Sequence, residues 1–342
     1  MVAGVGGGWM GGGGCWVHRL SQLPLLVLSV SLATCKPKRS PSRQERRRES
    51  EGETELLSVK PRDLQTVMAP KRVGIVGYGH LGKFLTKAVQ ERPDLELAFV
   101  WNRTTSVLHG EVEGRYICEN LENCSQFSPD LIVEVSHPII SEKYGPMFLN
   151  TADYLVGSPT ALASQPVEDA LRAAATSHGL YVPAGAFWGA EDILKMADRG
   201  TLKGLKVTMK KHPSCFKFEG ELKAKNEQIC GSEAVTLYDG PVRGLCPLAP
   251  NNVNTMAAAA MAGHNLGFDV VQGCLVSDPK LTDWHIVEVE VTGPQIAGRN
   301  FTVKTTRNNP ADPGAVTGSA TYGSFLSSVV RAGGRGPGVH LC

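Results

Sequence analysis

Short apolar runs alternate with segments of helical spacing through the first half of this chain. Buried strands are predicted by the apolar runs at residues 73–76, 95–101, 129–135, 154–157 and 179–183. Helical spacing is found at residues 83–89 and 167–177, between these runs. The alternation predicts a parallel sheet whose strands are joined by right-handed helical crossovers.

The pattern changes after residue 204. Residues 286–291 alternate apolar and polar side chains, as a strand with one buried face does. Further strands are predicted at residues 205–209, 235–238 and 301–305, an alanine-rich helix at 255–263 and a last helix at 324–330. These elements predict a second domain with an open, mostly antiparallel sheet covered by helices.

Three glycines with the spacing G-x-G-x-x-G follow the first predicted strand. Gly77 suits a tight turn, Gly79 lets the backbone approach a pyrophosphate, and Gly82 lets the next helix pack closely on the strand. The helix N-terminus would supply free N–H donors to that anion. The strand before and the helix after favour a dinucleotide site over a merely structural turn. The residues expected to contact the cofactor here are Gly77, Gly79, His80, Leu81 and Gly82.

The predicted fold class is therefore α/β, with an N-terminal Rossmann dinucleotide-binding domain and a C-terminal α+β domain. We expect the first domain over residues 71–188 and a substrate domain over 189–310. The C-terminal segment, 311–342, is expected to pack its helix back on the first domain.

Residues 1–70 differ in composition from the rest of the chain. A glycine-rich run, an apolar segment at 23–33 and a charged tract follow one another there. The apolar segment has the length of a signal-peptide core and is too short to span a bilayer. We favour the alternative of a disordered leader, because the remainder is expected to be a dinucleotide-binding enzyme with free cysteines.

The end of the second predicted strand bears on the choice of cofactor. An acidic residue there would hold the ribose 2′-hydroxyl of NAD, but this chain has Asn102 followed by Arg103. A carboxylate would repel a 2′-phosphate, whereas these side chains can bind one. We therefore expect NADP or NAD, with NADP bound at least as well. Arg103 as an ordinary solvated cation is the alternative.

His137 follows the third predicted strand, at the sheet edge where ligands bind in such folds. It is either a contact to the nicotinamide ribose or an ordinary loop residue before Pro138. The residue pattern favours neither interpretation.

Composition excludes several classes of partner. The formal net charge is +2, and no basic stripe interleaved with aromatic residues indicates a nucleic-acid surface. The nine cysteines contain no C-x-x-C pair, which fits reduced thiols and a cytoplasmic location better than a disulfide framework or a metal site. We expect a small-molecule substrate, no metal, no membrane contact and a possible homodimer.

From residue 72 to residue 342 the chain resembles the L-aspartate dehydrogenases, in particular their animal branch. The segments that carry the resemblance are GIVGYGHLG, VEVSHP, VGSPTALA, GAFWGAEDI, GPVRGLCPLAPNNVNTMAAAAMAG, DWHIVEVEV and NPADPGAVTGSAT. The resemblance implies NAD(P)-dependent oxidation of L-aspartate through iminoaspartate to oxaloacetate and ammonia, or the reverse. It also implies that His285 is catalytic and that Ala161 and Asn254 contact the cofactor.

The chemistry of His285 is consistent with that role. A histidine titrates near neutral pH, so it can take a proton from the substrate ammonium or from the water that attacks the imine. Asp283 is a possible orienting partner. Without the resemblance, a surface histidine at the start of a strand would be the simpler interpretation.

A dicarboxylate substrate also needs cations. Candidates are Lys210, Lys211, His212, Arg243 and Arg307. Any of them suits a carboxylate, and arginine can bind one with two hydrogen bonds. Of these we select Lys211 and Arg243 as substrate-binding residues.

Two other functions fit the glycine loop equally well. One is a related reductase that acts on cyclic imines or homoserine-like substrates. The other is an NADP-binding redox sensor or scaffold without turnover, which would have no need of an acid/base group at His285.

Overall fold

Residues 69–342 are described by a computed structural model and contain two β-sheets with helices packed against them. The predicted disordered leader lies outside the described residues, except for its last two positions. In chain order the strands are β1 Lys71–Val76, β2 Leu95–Trp101, β3 Leu131–Glu134, β4 Asp153–Val156, β5 Gly179–Val182, β6 Gly204–Lys211, β7 Val235–Pro241, β8 Gln272–Ser277, β9 Trp284–Ile296, β10 Arg299–Pro310 and β11 Gly338–Leu341. The helices are α1 His80–Gln90, α2 Pro138–Thr151, α3 Gln165–Ala174, α4 Ala190–Asp198, α5 Gly220–Glu227, α6 Val242–Leu245, α7 Asn254–Ala262, α8 Gly267–Val270 and α9 Ser319–Arg331.

The first sheet is parallel, with the strand order β11-β5-β4-β3-β1-β2. Val73, Ile75 and Val76 of β1 are fully buried, as expected for a strand covered on both faces. The predicted Rossmann-type parallel sheet is therefore confirmed.

The second sheet has the order β10-β9-β6-β8-β7, and β6–β8 is its parallel pair. The mostly antiparallel sheet is thus confirmed. The long hairpin of β9 and β10 turns at Ala297 and Gly298, both with positive φ, which matches the twist of the flanking strands. Helix α7 is buried from Thr255 to Ala262, because its small alanine side chains allow neighbouring elements to approach closely.

The C-terminal segment returns to the first sheet. Strand β11 pairs in parallel with β5, and Phe84 of α1 packs edge-on against Tyr322 of α9. Strands β8 and β11 had no counterpart among the predicted elements. The domain boundaries at residues 188 and 310 stay predictions.

Two negative findings apply to residues 69–342. Every helix in this range is too short or too polar to cross a bilayer. Histidine, cysteine and acidic side chains in the same range nowhere form a group of three or more that would suit a metal ion.

Lys71 fastens the C-terminal helix to the first strand. Its Nζ donates to the carbonyl oxygens of Val329, Val330 and Ala332, at the end of α9. A cation at this position satisfies carbonyl groups that have no partner within the helix and is favoured by the helix dipole.

We predict that Lys71→Met lowers the free energy of unfolding by about 1–3 kcal/mol, because it removes charge-assisted hydrogen bonds from partly buried carbonyls. Urea denaturation measures the effect. The control is Lys87→Met, which removes an exposed pair with Glu91 and should change the stability by less than about 0.5 kcal/mol. Equal stability of the two variants would contradict the anchoring role of Lys71.

Candidate active site

The three glycines after β1 have three different environments. Gly77 has φ +115°, and a Cβ there would lie 2.9 Å from the carbonyl oxygen of Val135. A Cβ at Gly82 would overlap the carbonyl oxygen of Gly77. A Cβ at Gly79 would meet no described atom within 4 Å. The first position is therefore a tight turn, the last a close packing contact, and the middle one is open to a ligand.

The N-terminus of α1 faces the same opening. The helix follows Gly79 directly, its first turn has no side-chain cap, and both Gly79 and His80 are exposed. The first N–H groups of a helix have no partner within it, so this end can donate to an anion. The loop thus fits the pyrophosphate of a dinucleotide.

Asn102 holds the glycine loop. Its Oδ1 accepts from the backbone N–H of Tyr78 at 3.1 Å, and its Nδ2 donates to the carbonyl oxygen of Thr104 at 3.0 Å. Both polar atoms of the Asn102 side chain are therefore already hydrogen-bonded within the protein. The neighbouring Arg103 is exposed and forms no ion pair with the residues described, so its guanidinium is free to bind an anion.

Glu134 at the end of β3 was not recognised from the sequence as part of the site. Its fully buried carboxylate accepts from the backbone N–H groups of Ser136, His137 and Ser158 and from the Ser158 hydroxyl, at 2.6 to 3.1 Å. Burial raises the pKa of Glu134 to about 7, although these hydrogen bonds oppose the shift. The side chain fastens the loops after β3 and β4 to each other. An acidic residue within the apolar run of β3 was the available signal.

A neighbouring cleft contains His137 and Ala161. The Nδ1 atom of His137 accepts from the N–H of Ile139 at 3.3 Å and so caps α2. Thr160 lines this cleft between them, and its hydroxyl donates to Asn254 Oδ1 at 3.3 Å. Asn254 lines a second cleft, called the main cleft below. His137 and Ala161 therefore lie next to the main cleft.

Arg243 also lies in this neighbouring cleft. Its guanidinium pairs with both oxygens of Asp269, at 2.6 and 2.9 Å, and donates to the carbonyl oxygen of Ala163. The structure therefore does not bring Arg243 to His285, and its hydrogen bonds are already taken by the protein.

The main cleft lies where the edge of the first sheet meets the second sheet and α7. Leu81 of α1 and the loop residues Gly157 and Ala184 line it on the side of the first sheet, and His285 and Asn254 line it on the other side. Of the predicted site residues, the cleft brings together Leu81, Lys211, Asn254 and His285.

Three polar side chains form a row across the second sheet on the face toward this cleft. His285 of β9 lies opposite Asn309 of β10. On its other side Lys210 of β6 pairs with Ile286, so Lys211 occupies the next position, opposite His285. Lys211, His285 and Asn309 are 3%, 4% and 3% exposed, which makes the row a buried polar feature.

Lys211 is a buried cation without a carboxylate partner among the described residues. Its Nζ donates to the carbonyl oxygen of Val316 at 2.9 Å and lies 5.7 Å from the centre of the Phe216 ring. Burial lowers the pKa of Lys211 to about 8, so the ammonium form still predominates at neutral pH.

His285 is a buried imidazole with an unused nitrogen. Its Nε2 has no hydrogen-bond partner among the described residues. Burial and, secondly, the positive charge of Lys211 lower the pKa of His285 to about 4, while a hydrogen bond to the backbone of Ala315 opposes the shift. The ring is therefore neutral at pH 7. Asp283, the predicted orienting partner, forms no hydrogen bond with this ring; it is exposed, and its Oδ2 accepts from the Thr282 hydroxyl.

Asn309 and Arg307 support the row from β10, and neither was selected from the sequence as a support for His285. Asn309 Nδ2 donates to the carbonyl oxygen of His285 at 3.4 Å, and its Oδ1 accepts from Arg307 Nε at 2.7 Å. Arg307 Nη1 also donates to the carbonyl oxygen of Gly185, 3.2 Å away. Arg307 is thus engaged in holding the cleft wall, and burial lowers its pKa.

The sequence matches two family models and several known proteins. The family model described as "Aspartate dehydrogenase, C-terminal" matches residues 192–328, and "Homoserine dehydrogenase, NAD binding domain" matches residues 77–183. An aspartate dehydrogenase domain-containing protein of Xenopus tropicalis is 57% identical over 278 residues, which cover 79% of this chain and 98% of the relative. An L-aspartate dehydrogenase of Methanopyrus kandleri is 27% identical over 231 residues, covering 64% of this chain and 81% of that protein.

A solved structure extends the comparison to the fold. Aspartate dehydrogenase from Thermotoga maritima superimposes with a TM-score of 0.57 at 18% identity, over 76% of this chain and 94% of that one. At this identity the likeness shows the shared fold.

The glycine environments predict opposite effects of two similar substitutions. Gly79→Ala should leave unfolding within about 0.5 kcal/mol of wild type, because its Cβ points into open space. It should weaken NADPH binding by about tenfold or more, since the methyl group enters the expected pyrophosphate position.

Gly82→Ala should lower the unfolding free energy by about 1–3 kcal/mol, because α1 must move away from the loop. Fluorescence titration and urea denaturation measure the two effects; unchanged NADPH affinity in Gly79→Ala would remove the loop from the cofactor site.

Proposed function

This chain belongs to the aspartate dehydrogenase family, and we propose that it is an NAD(P)-dependent L-aspartate dehydrogenase. The proposed reaction is oxidative deamination of L-aspartate through iminoaspartate to oxaloacetate and ammonia, or the reverse. The observation that carries the proposal is the neutral, buried His285, whose Nε2 is unpartnered among the described residues, in a cleft shared with the first turn of α1.

The cofactor fits the first sheet. The open space at Gly79 and the N-terminus of α1 suit the pyrophosphate, and Arg103 suits a 2′-phosphate. Leu81, Gly157 and Ala184 would lie along the nicotinamide end, because they line the main cleft at the carboxyl edge of the sheet. A bound nicotinamide supplies the acceptor for the hydride that leaves the substrate α-carbon.

His285 handles the protons of the reaction. The α-carbon releases hydride only after the substrate nitrogen has lost its ammonium proton, so that the nitrogen lone pair can form the C=N bond of the imine. Neutral His285 accepts that proton at Nε2. His285 releases this proton to solvent before hydrolysis of the imine. It then takes a proton from the attacking water and returns it to the departing nitrogen, which leaves as ammonia. In the reverse direction it works as the corresponding acid.

Burial of the row formed by Lys211, His285 and Asn309 would also favour catalysis. Lys211, His285 and Asn309 are all nearly inaccessible, so the reacting groups would lie where water is largely excluded. Electrostatic interactions are stronger in such a site than in water, and the fixed positions of the strands hold the groups in register without reorganisation.

The alternatives considered from the sequence remain outcomes of the test. The model for the homoserine dehydrogenase dinucleotide domain matches residues 77–183, so the first domain does not by itself separate aspartate from homoserine-like substrates. A binding-only sensor would need the glycine loop but not a buried neutral imidazole in the cleft. A cytoplasmic location, which the free thiols favour, and a homodimer belong to the same proposal.

We predict that His285→Gln lowers turnover of oxaloacetate, ammonia and NADPH by about 10²- to 10⁴-fold, the usual contribution of general acid–base catalysis. NADPH affinity should stay unchanged, because His285 lies on the second sheet. NADPH absorbance gives the rate and fluorescence titration the affinity. His264→Gln is the matched control, since His264 is exposed and paired with Asp198. Wild-type protein without turnover would refute the dehydrogenase proposal, and full activity of His285→Gln would refute the role of this residue.

We propose further that Arg103 gives the site its affinity for NADP. Arg103→Ser should weaken NADPH binding by about tenfold, the effect of losing one charge-assisted interaction, and leave NADH binding unchanged. Parallel titrations with the two nucleotides measure the difference. An equal loss for both would mean that Arg103 acts on the loop and not on the 2′-phosphate.

A further inference from the structure

The charges that line the main cleft form an unusual set. Among its lining residues, Lys211 and His285 are the titratable ones, and the rest are apolar, amide, hydroxyl or backbone groups. A buried ammonium therefore lies opposite a buried imidazole in this lining, without a carboxylate.

Lys210, the residue before Lys211 on β6, has the carboxylate partner that Lys211 lacks among the described residues. Lys210 points to the opposite face of β6 and pairs with Glu288 at 2.8 Å. Lys211, one residue later, makes its polar contact with the carbonyl oxygen of Val316. A buried charge without a counter-ion costs free energy unless a ligand supplies one. The missing partner of Lys211 is a negatively charged group.

Resting on the proposed function, we propose that Lys211 receives a carboxylate of the substrate and that this carboxylate makes His285 an effective base. Recognition of the acid and removal of the ammonium proton are then coupled through two neighbouring side chains.

The coupling follows from electrostatics along the row. With the cleft empty, the positive charge of Lys211 adds to burial in disfavouring the imidazolium form of His285, which holds the pKa near 4. A carboxylate bound to Lys211 offsets that charge, so the proton affinity of His285 rises. A base works best when its pKa is near the working pH. An amine without a carboxylate would therefore bind poorly and would also meet a weaker base.

The other charged groups around His285 are arranged differently. Arg307 of β10 is held by Asn309 and Gly185. Asp312, in the segment before α9, is exposed, and Asp283, which directly precedes β9, accepts a hydrogen bond from the Thr282 hydroxyl. Lys211 is the charged side chain that contributes to the pKa shift of His285, so it is the one through which a ligand can act.

Steady-state kinetics of Lys211→Met, Lys211→Arg and Lys210→Met test the proposal in the full-length enzyme. Lys211→Met should raise the KM for oxaloacetate by about tenfold or more, because it removes a charge-assisted contact. It should also lower kcat, because the carboxylate no longer holds the substrate in place against His285, and leave NADPH affinity unchanged. Lys211→Arg should recover part of the loss. Lys210→Met, which changes the opposite face of the same strand, should behave as wild type.

The pH profile separates coupling from a merely structural role. In the oxidation of L-aspartate, kcat/KM requires neutral His285 in the free enzyme. In Lys211→Met the cation that disfavours imidazolium is gone, the pKa of His285 rises, and the acidic limb of kcat/KM moves to higher pH. The alkaline limb set by Lys211 should move upward in Lys211→Arg, since guanidinium stays protonated.

Urea denaturation checks that the variants are folded. Lys211→Met should be at least as stable as wild type, because it replaces a buried unpaired charge by an apolar chain of similar length. An unchanged KM, or a loss of activity with no shift of the acidic limb, would overturn the proposal while wild-type turnover still supported the dehydrogenase. Absence of wild-type turnover would instead refute the proposed function itself.

Discussion

The register between β6, β9 and β10 is the constraint on which the candidate active site depends. It places Lys211, His285 and Asn309 opposite one another on the buried face of the second sheet. A shift of any one of these strands by one residue would turn its member of the row to the other face, where Lys210 and Glu288 form an ordinary ion pair. The register therefore places a lysine and a histidine side by side in the lining of one cleft, and the low pKa of His285 follows from burial and, secondly, from that proximity.

The loops of the first sheet bring the proposed cofactor site to this row. The buried carboxylate of Glu134 fixes the backbone after β3 and β4, and Asn102 fixes the glycine loop to the end of β2. Thr160 then joins these loops to the second half of the chain through Pro250 and Asn254. Polar side chains thus position the strand ends of one sheet against the buried row of the other, so that a nicotinamide at the sheet edge and a proton acceptor on β9 would face the same substrate.

Local patterns were sufficient to predict most of the fold, and the glycine loop was evident because its strand and helix are adjacent in sequence. Strand β11 was missed because it is defined by its pairing with β5, some 160 residues earlier. The same limitation applies to the site. Lys210 and Lys211 look equivalent in the sequence, and only strand alternation distinguishes the partly exposed, paired Lys210 from the buried Lys211. Arg243 was selected as a free cation, yet Asp269 pairs with it through a contact that no local pattern indicates. Asn309 became visible only through the register of β9 and β10.

The most direct test of the account is the titration of His285 itself, followed by nuclear magnetic resonance of ring-labelled histidine and assigned by its loss in His285→Gln. In the complex with NADP⁺ the account predicts a neutral ring at pH 6, with a pKa near 4, and a rise of that pKa when succinate occupies the cleft. In Lys211→Met the pKa should already be raised, and succinate should not change it. A pKa at the ordinary value for histidine, unaffected by succinate, would contradict the coupling of carboxylate recognition to proton transfer.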